Sequence, residues 1–212
     1  MERERIAAGL RAAGIDLVGA FSDGDRLVMV AGNGRALWPP FLAWLAEDPA
    51  RPESPHPLQA YVEEATRRAV AGVDCEVRFA HDGPPFVPIQ RLAERAGLAW
   101  LAPSNLSIHP VVGPWLSLRA VIVADDGEPV VPAPPPPCAA CPSACLPAFE
   151  RARAARDPVA AQTAWPTWLA VRDACPIGRE HRFQEDHIRY GYTKDREILR
   201  KALSESRRTS DD

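Results

Sequence analysis

The sequence predicts an α/β (α+β) fold, a mixed sheet covered by helices, and three observations predict it. Apolar residues recur at helical spacing over 57–71, where Leu58, Tyr61, Val62, Ala65 and Ala69 share one side. They alternate at strand spacing over 75–80 and form a β-branched apolar run over 116–124. The two kinds of segment follow one another along the chain, as they do where helices cover a sheet. With 212 residues, 46% of them hydrophobic and 25% charged, the chain is large enough for one core of ordinary globular composition.

Taken in order, residues 2–13 read as an amphipathic helix with Ile6 and Leu10 on one face, ended by Gly14. Strands over 15–21 and 26–31 flank the turn Ser22-Asp23-Gly24-Asp25, a hairpin signal. Gly32-Asn33-Gly34 then opens a helix-like stretch over 38–45. A glycine loop between strand and helix can cradle phosphate, but without a full fingerprint a tight turn is the plainer reading. After the strand over 75–80 comes a helix over 89–97, closed by Gly97 at the C-cap. Residues 128–137, EPVVPAPPPP, end in four prolines and read as a stiff polyproline II spacer, with a ligand for an aromatic groove as the alternative. Helices are expected over 148–156 and 184–204, and the terminal RRTSDD is expected to fray.

The formal net charge is −3 with both signs interspersed, which gives no electrostatic footprint for nucleic acid. No apolar run approaches the ~20 residues needed to cross a bilayer. The N-terminal MERERIAAGLRAAG is too charged for a signal peptide, so a cytoplasmic protein is expected. Of the five cysteines three fall within eight residues, which in a cytoplasmic setting points to metal or redox chemistry before disulfides.

Three groups of residues carry chemistry. Cys138, Cys141 and Cys145 have C-x2-C-x3-C spacing, and Cys175 follows in a Cys-Pro pair. Thiolates are soft ligands, so these four suit zinc or one [4Fe–4S] cluster; remnants of a lost site are the alternative. In SNLSIHPVVGPWLSLRAV, His109 and Trp115 read as structural, whereas Arg119 lies in an otherwise apolar strand. Burying that charge is costly unless it meets a carboxylate, a phosphate or a similar anion. In TWLAVRDACPIGREHRF, Arg172 and Asp173 fit a surface ion pair worth under ~1 kcal/mol.

These segments, in this order, resemble the cobalamin-processing decyanase family. Gly34-Arg35-Ala36-Leu37 with Pro40-Phe41-Leu42 is similar to that family's early helix. Ile108-His109-Pro110 with Gly113, Trp115 and Arg119 is similar to its cobalamin-side loop and strand. Trp168, Arg172-Asp173-Ala174 and EHRFQEDHIRY keep the same register. The phrase LAERAGLAWLAPSNLSIHP also resembles epoxyqueuosine reductase, a corrinoid and iron–sulfur enzyme.

The resemblance implies a flavin-nitroreductase-like fold adapted to cobalamin, and leaves flavin open. It implies a cobalamin pocket bordered by Val87, Pro88, Ile89 and Gln90, by Leu101, Ala102 and Pro103, and by Ser107, His109 and Leu118. Arg119, Arg172 and Arg196 fall where the decyanases bind glutathione, whose carboxylates suit guanidinium forks. The cofactor would be bound base-off; no Asp-x-His-x-x-Gly run supplies a replacement histidine. Epoxyqueuosine reductase holds two clusters, more than five cysteines can ligate, and the acidic net charge is unlike that of a tRNA-binding enzyme. The implied activity is removal of cobalamin's upper ligand, by reductive decyanation or transfer to a thiol. A single-cluster oxidoreductase and a cobalamin chaperone are the alternatives, and a homodimer is left open. The chain divides into a core with the pocket (1–127), the spacer (128–137), a cysteine-containing segment packed on the same domain (138–205) and a disordered tail (206–212).

Overall fold

The structure, a computed structural model, describes residues 2–125, 135–154 and 164–210, with side chains as far as Glu205. The spacer expected over 128–137 therefore lies largely outside the described residues. Helix α1 (Glu2–Ala12) leads into a hairpin of β1 (Leu17–Asp23) and β2 (Arg26–Asn33). Asp23 pairs with Arg26 across a tight turn in which Gly24 takes a positive φ of 62°. A 3-10 turn at Arg35–Leu37 then leads to α2 (Trp38–Glu47), α3 (Pro57–Ala69), β3 (Cys75–Phe79) and α4 (Ile89–Arg95). The two-residue strands β4 (Trp100–Leu101) and β5 (Ser107–Ile108) pair with each other, and β6 (Ser117–Ala124) follows. Four helices complete the described chain: α5 (Cys145–Ala154), α6 (Trp165–Asp173), α7 (Glu185–Thr193) and α8 (Arg196–Ser210).

The main sheet has the order β1-β2-β6-β3. Its three pairings are all antiparallel, so the α+β class holds while the mixed strand directions expected from alternation do not. Helices follow strands here without forming parallel crossovers: β1 and β2 are hairpin partners, and β6 inserts between β2 and β3. Strand β2 is buried along nearly its whole length because each face meets a separate core. Leu27, Met29 and Ala31 face the cluster with α1, α2, α3 and α8, while Val28 and Val30 face the cluster that includes Ala93 of α4. The period-2 alternation thus feeds two layers.

The helix expected over 184–204 is two helices. Lys194 adopts the left-handed conformation (φ 56°), and its amide closes α7 on the Tyr190 carbonyl. The Asp195 carboxylate then accepts the Glu197 amide at 2.9 Å, the usual cap of a new helix. Helix α8 continues to Ser210, into the segment expected to be a tail. The expected glycine loop is also altered: Gly32 and Asn33 belong to β2, and the Gly34 amide donates to the Asp16 carboxylate at 2.8 Å, so it is not free to cradle phosphate.

Candidate functional site

A break in register aims the central charge. Ala31 pairs with Ala120 but Gly32 pairs with Leu118, which leaves Arg119 as the extra residue of a β-bulge. Leu118 and Val121 both pack on the α4 side of the sheet, so the bulge turns Arg119 the other way. There its Nε donates to Asn33 Oδ1 at 2.6 Å, and Asn33, itself fully buried, donates to the Gly34 carbonyl at 2.8 Å.

Arg119 thereby enters a cavity of about 130 Å³. The polar lining is Ser117, Arg119, Arg172, His187, Tyr192 and Lys194; Trp115, Phe183 and Ile188 are among its apolar walls. Among the described residues no carboxylate pairs with Arg119, Arg172 or Lys194, and Asp173 pairs instead with Arg182 at 3.0 Å. The ion pair expected between Arg172 and Asp173 is therefore replaced by two separate roles for neighbouring residues. Burial, aided by Arg172, pushes Arg119 down to about 10, and burial with the Arg119 charge lowers Lys194. His187 is pushed down to about 3 by burial and then by Arg119, Arg172 and Lys194, so its ring is neutral at pH 7. Converging cations without a counter-charge give the cavity a positive potential that favours an anion.

The same histidine predicts a pH dependence of stability. An unfolded histidine takes up its proton near pH 6.5, whereas the folded one does so only near 3. The stability it confers is complete above the unfolded value and is lost as pH falls through the window between them. About 2 kcal/mol should be gone by pH 5. Urea unfolding at pH 7.5, 6 and 5 measures this slope, and His187→Asn should flatten it; an unchanged slope would assign it to other groups.

A second, solvent-open cleft of about 220 Å³ adjoins the first. Ile89, Gln90, Asn105, Leu106, Ser107, Pro114, Leu116, Ser117, Leu118 and Arg172 line it. Ser117 and Arg172 therefore line both spaces. Asn105 and Leu106 also border a third hollow with Ser104, Phe149, Arg153 and Trp168. The buried Ser104 hydroxyl has no hydrogen-bond partner among the described residues. Gln90 Nε2 donates to Ser107 Oγ at 3.2 Å and to the Asn105 carbonyl at 3.3 Å, which ties α4 to the β4–β5 loop.

Of the pocket residues expected from sequence, Ile89, Gln90, Ser107 and Leu118 line this cleft. Val87 and Ala102 are core residues, Pro88 caps α4, Leu101 pairs in β4, and Pro103 is exposed. His109 Nδ1 accepts the Val111 and Val112 amides at 3.0 and 3.2 Å, so the ring shapes the loop that leads to Pro114. Of the three arginines, Arg119 and Arg172 converge; Arg196 instead faces Glu53 at 3.7 Å and donates to the Ser54 carbonyl at 3.3 Å. Lys194 supplies the third charge. Ser117, His187, Tyr192 and Lys194 were not singled out from sequence, and Asn33 was read only as part of the Gly32-Asn33-Gly34 turn; the left-handed Lys194 between two helical stretches had only the Thr-Lys-Asp sequence as a signal.

The fold brings Cys138, Cys141, Cys145 and Cys175 near one another. Cys138 is raised by burial and then by Cys141, Cys175 and Cys145. Cys175 is raised by burial and by Cys145 and Cys141, against an Ile177 amide and Arg179. Among the described residues no three or more His, Cys, Asp or Glu side chains form a group that could hold a metal ion. Cys138 and Cys175 pack with Ala102 and Ile108 in one apolar cluster, Cys145 packs beside Phe149 and Val171 in another, and Leu106 belongs to both.

No known family and no curated protein matches the chain in sequence. A solved structure does match: the C. elegans B12-trafficking protein CblC, described as a homologue of human MMACHC, at 14% identity with a TM-score of 0.67. The match covers 94% of each chain. This chain therefore has the fold of that B12-trafficking protein along almost its whole length.

Proposed function

We propose that the chain binds a corrinoid as its substrate across the open cleft and transfers its upper ligand to a thiol whose carboxylates sit in the cationic cavity. The observation that carries this reading is that Ser117 and Arg172 line both spaces. A thiol anchored by Arg119, Arg172 and Lys194 would lie beside whatever occupies the cleft. The fold shared with a B12-trafficking protein supports a corrinoid there. So do two exposed apolar side chains, Phe86 (68% exposed) and Val111 (58%), which precede the cleft-lining segments at Ile89 and Pro114. The cleft is smaller than a corrinoid, so the ring would lie across its mouth and towards the hollow at Ser104.

In the transfer, the thiol loses its proton to solvent and the thiolate sulfur bonds to the upper alkyl carbon. Both electrons of the cobalt–carbon bond stay on cobalt. The protein's part is to fix the thiol by its carboxylates and to exclude water with Trp115, Phe183 and Ile188. Decyanation would need an external reductant, so methylcobalamin is the cleaner substrate.

An anaerobic UV–visible titration with methylcobalamin tests the reading. A blue shift to the base-off spectrum is expected, followed on glutathione addition by loss of the methyl–cobalt band. A spectrum identical to that of free methylcobalamin would overturn corrinoid binding; a shift without turnover would leave a carrier.

A further inference from the structure

Within the cationic cavity the His187 ring has no role in the transfer described above, yet its placement is closely defined. It is 3% exposed and sandwiched between Trp38, at 5.0 Å and 11° between planes, and Phe183, at 4.3 Å and 6°. Stacking on both faces fixes the plane of the imidazole and leaves only its edge for polar contacts. The ring lines the cavity together with Arg119, Arg172 and Lys194. Its Nδ1 is buried with no hydrogen-bond partner among the described residues. Buried polar atoms in native proteins nearly always have partners, and an orphan beside a cavity points to one supplied by a ligand.

The charges around the ring decide what that ligand is. Arg119 reaches it from β6, Arg172 from α6 and Lys194 from the α7–α8 junction, while Tyr190 and Tyr192 stand on its own helix; none of these is an acid at pH 7. Such a cavity draws in an oxyanion, and an imidazole N–H is a donor to one without needing a further charge.

We propose that His187 is a ligand-contacting residue of this cavity, donating a hydrogen bond from its imidazole edge to a carboxylate or phosphate oxygen held by Arg119, Arg172 and Lys194. This rests on the reading of the cavity as an anion site. It makes His187 a determinant of which thiol is taken: one with a carboxylate gains the contact and an uncharged one does not. The flat stack also sets the plane in which the oxyanion must lie.

The test is calorimetric binding of glutathione, and separately of inorganic phosphate, to the full chain and to His187→Phe, His187→Asn and His187→Gln. The phenyl ring keeps the stack and lacks the donor, while the two amides carry an N–H near one or the other ring nitrogen. His187→Phe should weaken glutathione about tenfold, and at least one amide should restore most of it. Rates with 2-mercaptoethanol, which has no carboxylate, should fall by a smaller factor than those with glutathione in His187→Phe. Glutathione binding to His187→Phe as tight as to the unaltered chain would overturn the proposal, as would equal losses with 2-mercaptoethanol, which a general disturbance of packing would give. If the unaltered chain binds phosphate but not glutathione, the anion contact is tested on phosphate with the same variants, and the thiol assignment alone falls. If it binds neither while still shifting the methylcobalamin spectrum, the cavity is no anion site and the proposal falls, leaving corrinoid binding intact.

Discussion

Arg119→Ala is expected to lower glutathione-dependent demethylation of bound methylcobalamin at least about 100-fold while leaving the base-off spectrum unchanged. Two charge-assisted hydrogen bonds to one carboxylate account for that size. The selectivity follows from position: Arg119 lines the cationic cavity, whereas the open cleft proposed for the corrinoid is lined by its neighbours Ser117 and Leu118. Arg172 lines both, so Arg172→Ala should weaken corrinoid binding as well as turnover. Arg196, turned towards Glu53 and the Ser54 carbonyl, should affect neither when replaced by alanine. Anaerobic stopped-flow spectra of the three variants separate these outcomes. A parallel loss of binding and turnover in Arg119→Ala would remove the arginine from the thiol's site. Because Arg119 also satisfies the buried Asn33 Oδ1, each variant's melting temperature is needed beside its rate.

Gly113→Ala and Gly178→Ala are each expected to destabilise the fold by more than about 3 kcal/mol. Both glycines adopt positive φ, 60° and 70°, and they meet across the junction between the His109 loop and the segment after α6. A Cβ on Gly113 would stand 2.0 Å from the Ile177 carbonyl oxygen, and one on Gly178 would stand 2.2 Å from the Val112 carbonyl carbon. Those neighbours are backbone and cannot swing aside. The contact joins the chain that carries Trp115 and Arg119 to the chain that carries Arg172 and His187, so loosening it should also open the cationic cavity. Urea unfolding gives the energies, and the double variant should cost less than the two single changes added together because both disturb one contact. A loss below about 1 kcal/mol would show that the segment can shift to make room.

Local pattern was enough for most of the architecture. Helical spacing marked α1 and α3, a C-cap glycine closed α4, a turn signal marked the β1–β2 hairpin and a β-branched run marked β6, because caps, turns and the burial of one face are written into short-range sequence. It also singled out Arg119, since a charge within an apolar strand is visible in the sequence, whereas Arg172 read as half of a surface ion pair and only the family resemblance pointed to it. Spacing of cysteines pointed to Cys138, Cys141, Cys145 and Cys175, which the fold brings near one another, but spacing along the chain does not determine the distances between their side chains.

What only the tertiary structure decided is which side each charge faces and what shares its space. The bulge at Arg119 is one extra residue opposite a partner strand some ninety positions away, and it leaves no trace in the pattern of β6 itself. Lys194 enters the site, and Arg196 does not, because a single left-handed residue breaks what reads as one helix. His187 looks like an ordinary polar residue on an amphipathic helix. Its neutrality and its empty hydrogen-bonding edge arise from Trp38, Phe183 and three cations brought from distant parts of the chain. Periodicity determines the elements, because it reflects local geometry; the chemistry of the cavity depends on desolvation and charge among residues remote in sequence, and these exist only once the chain has packed.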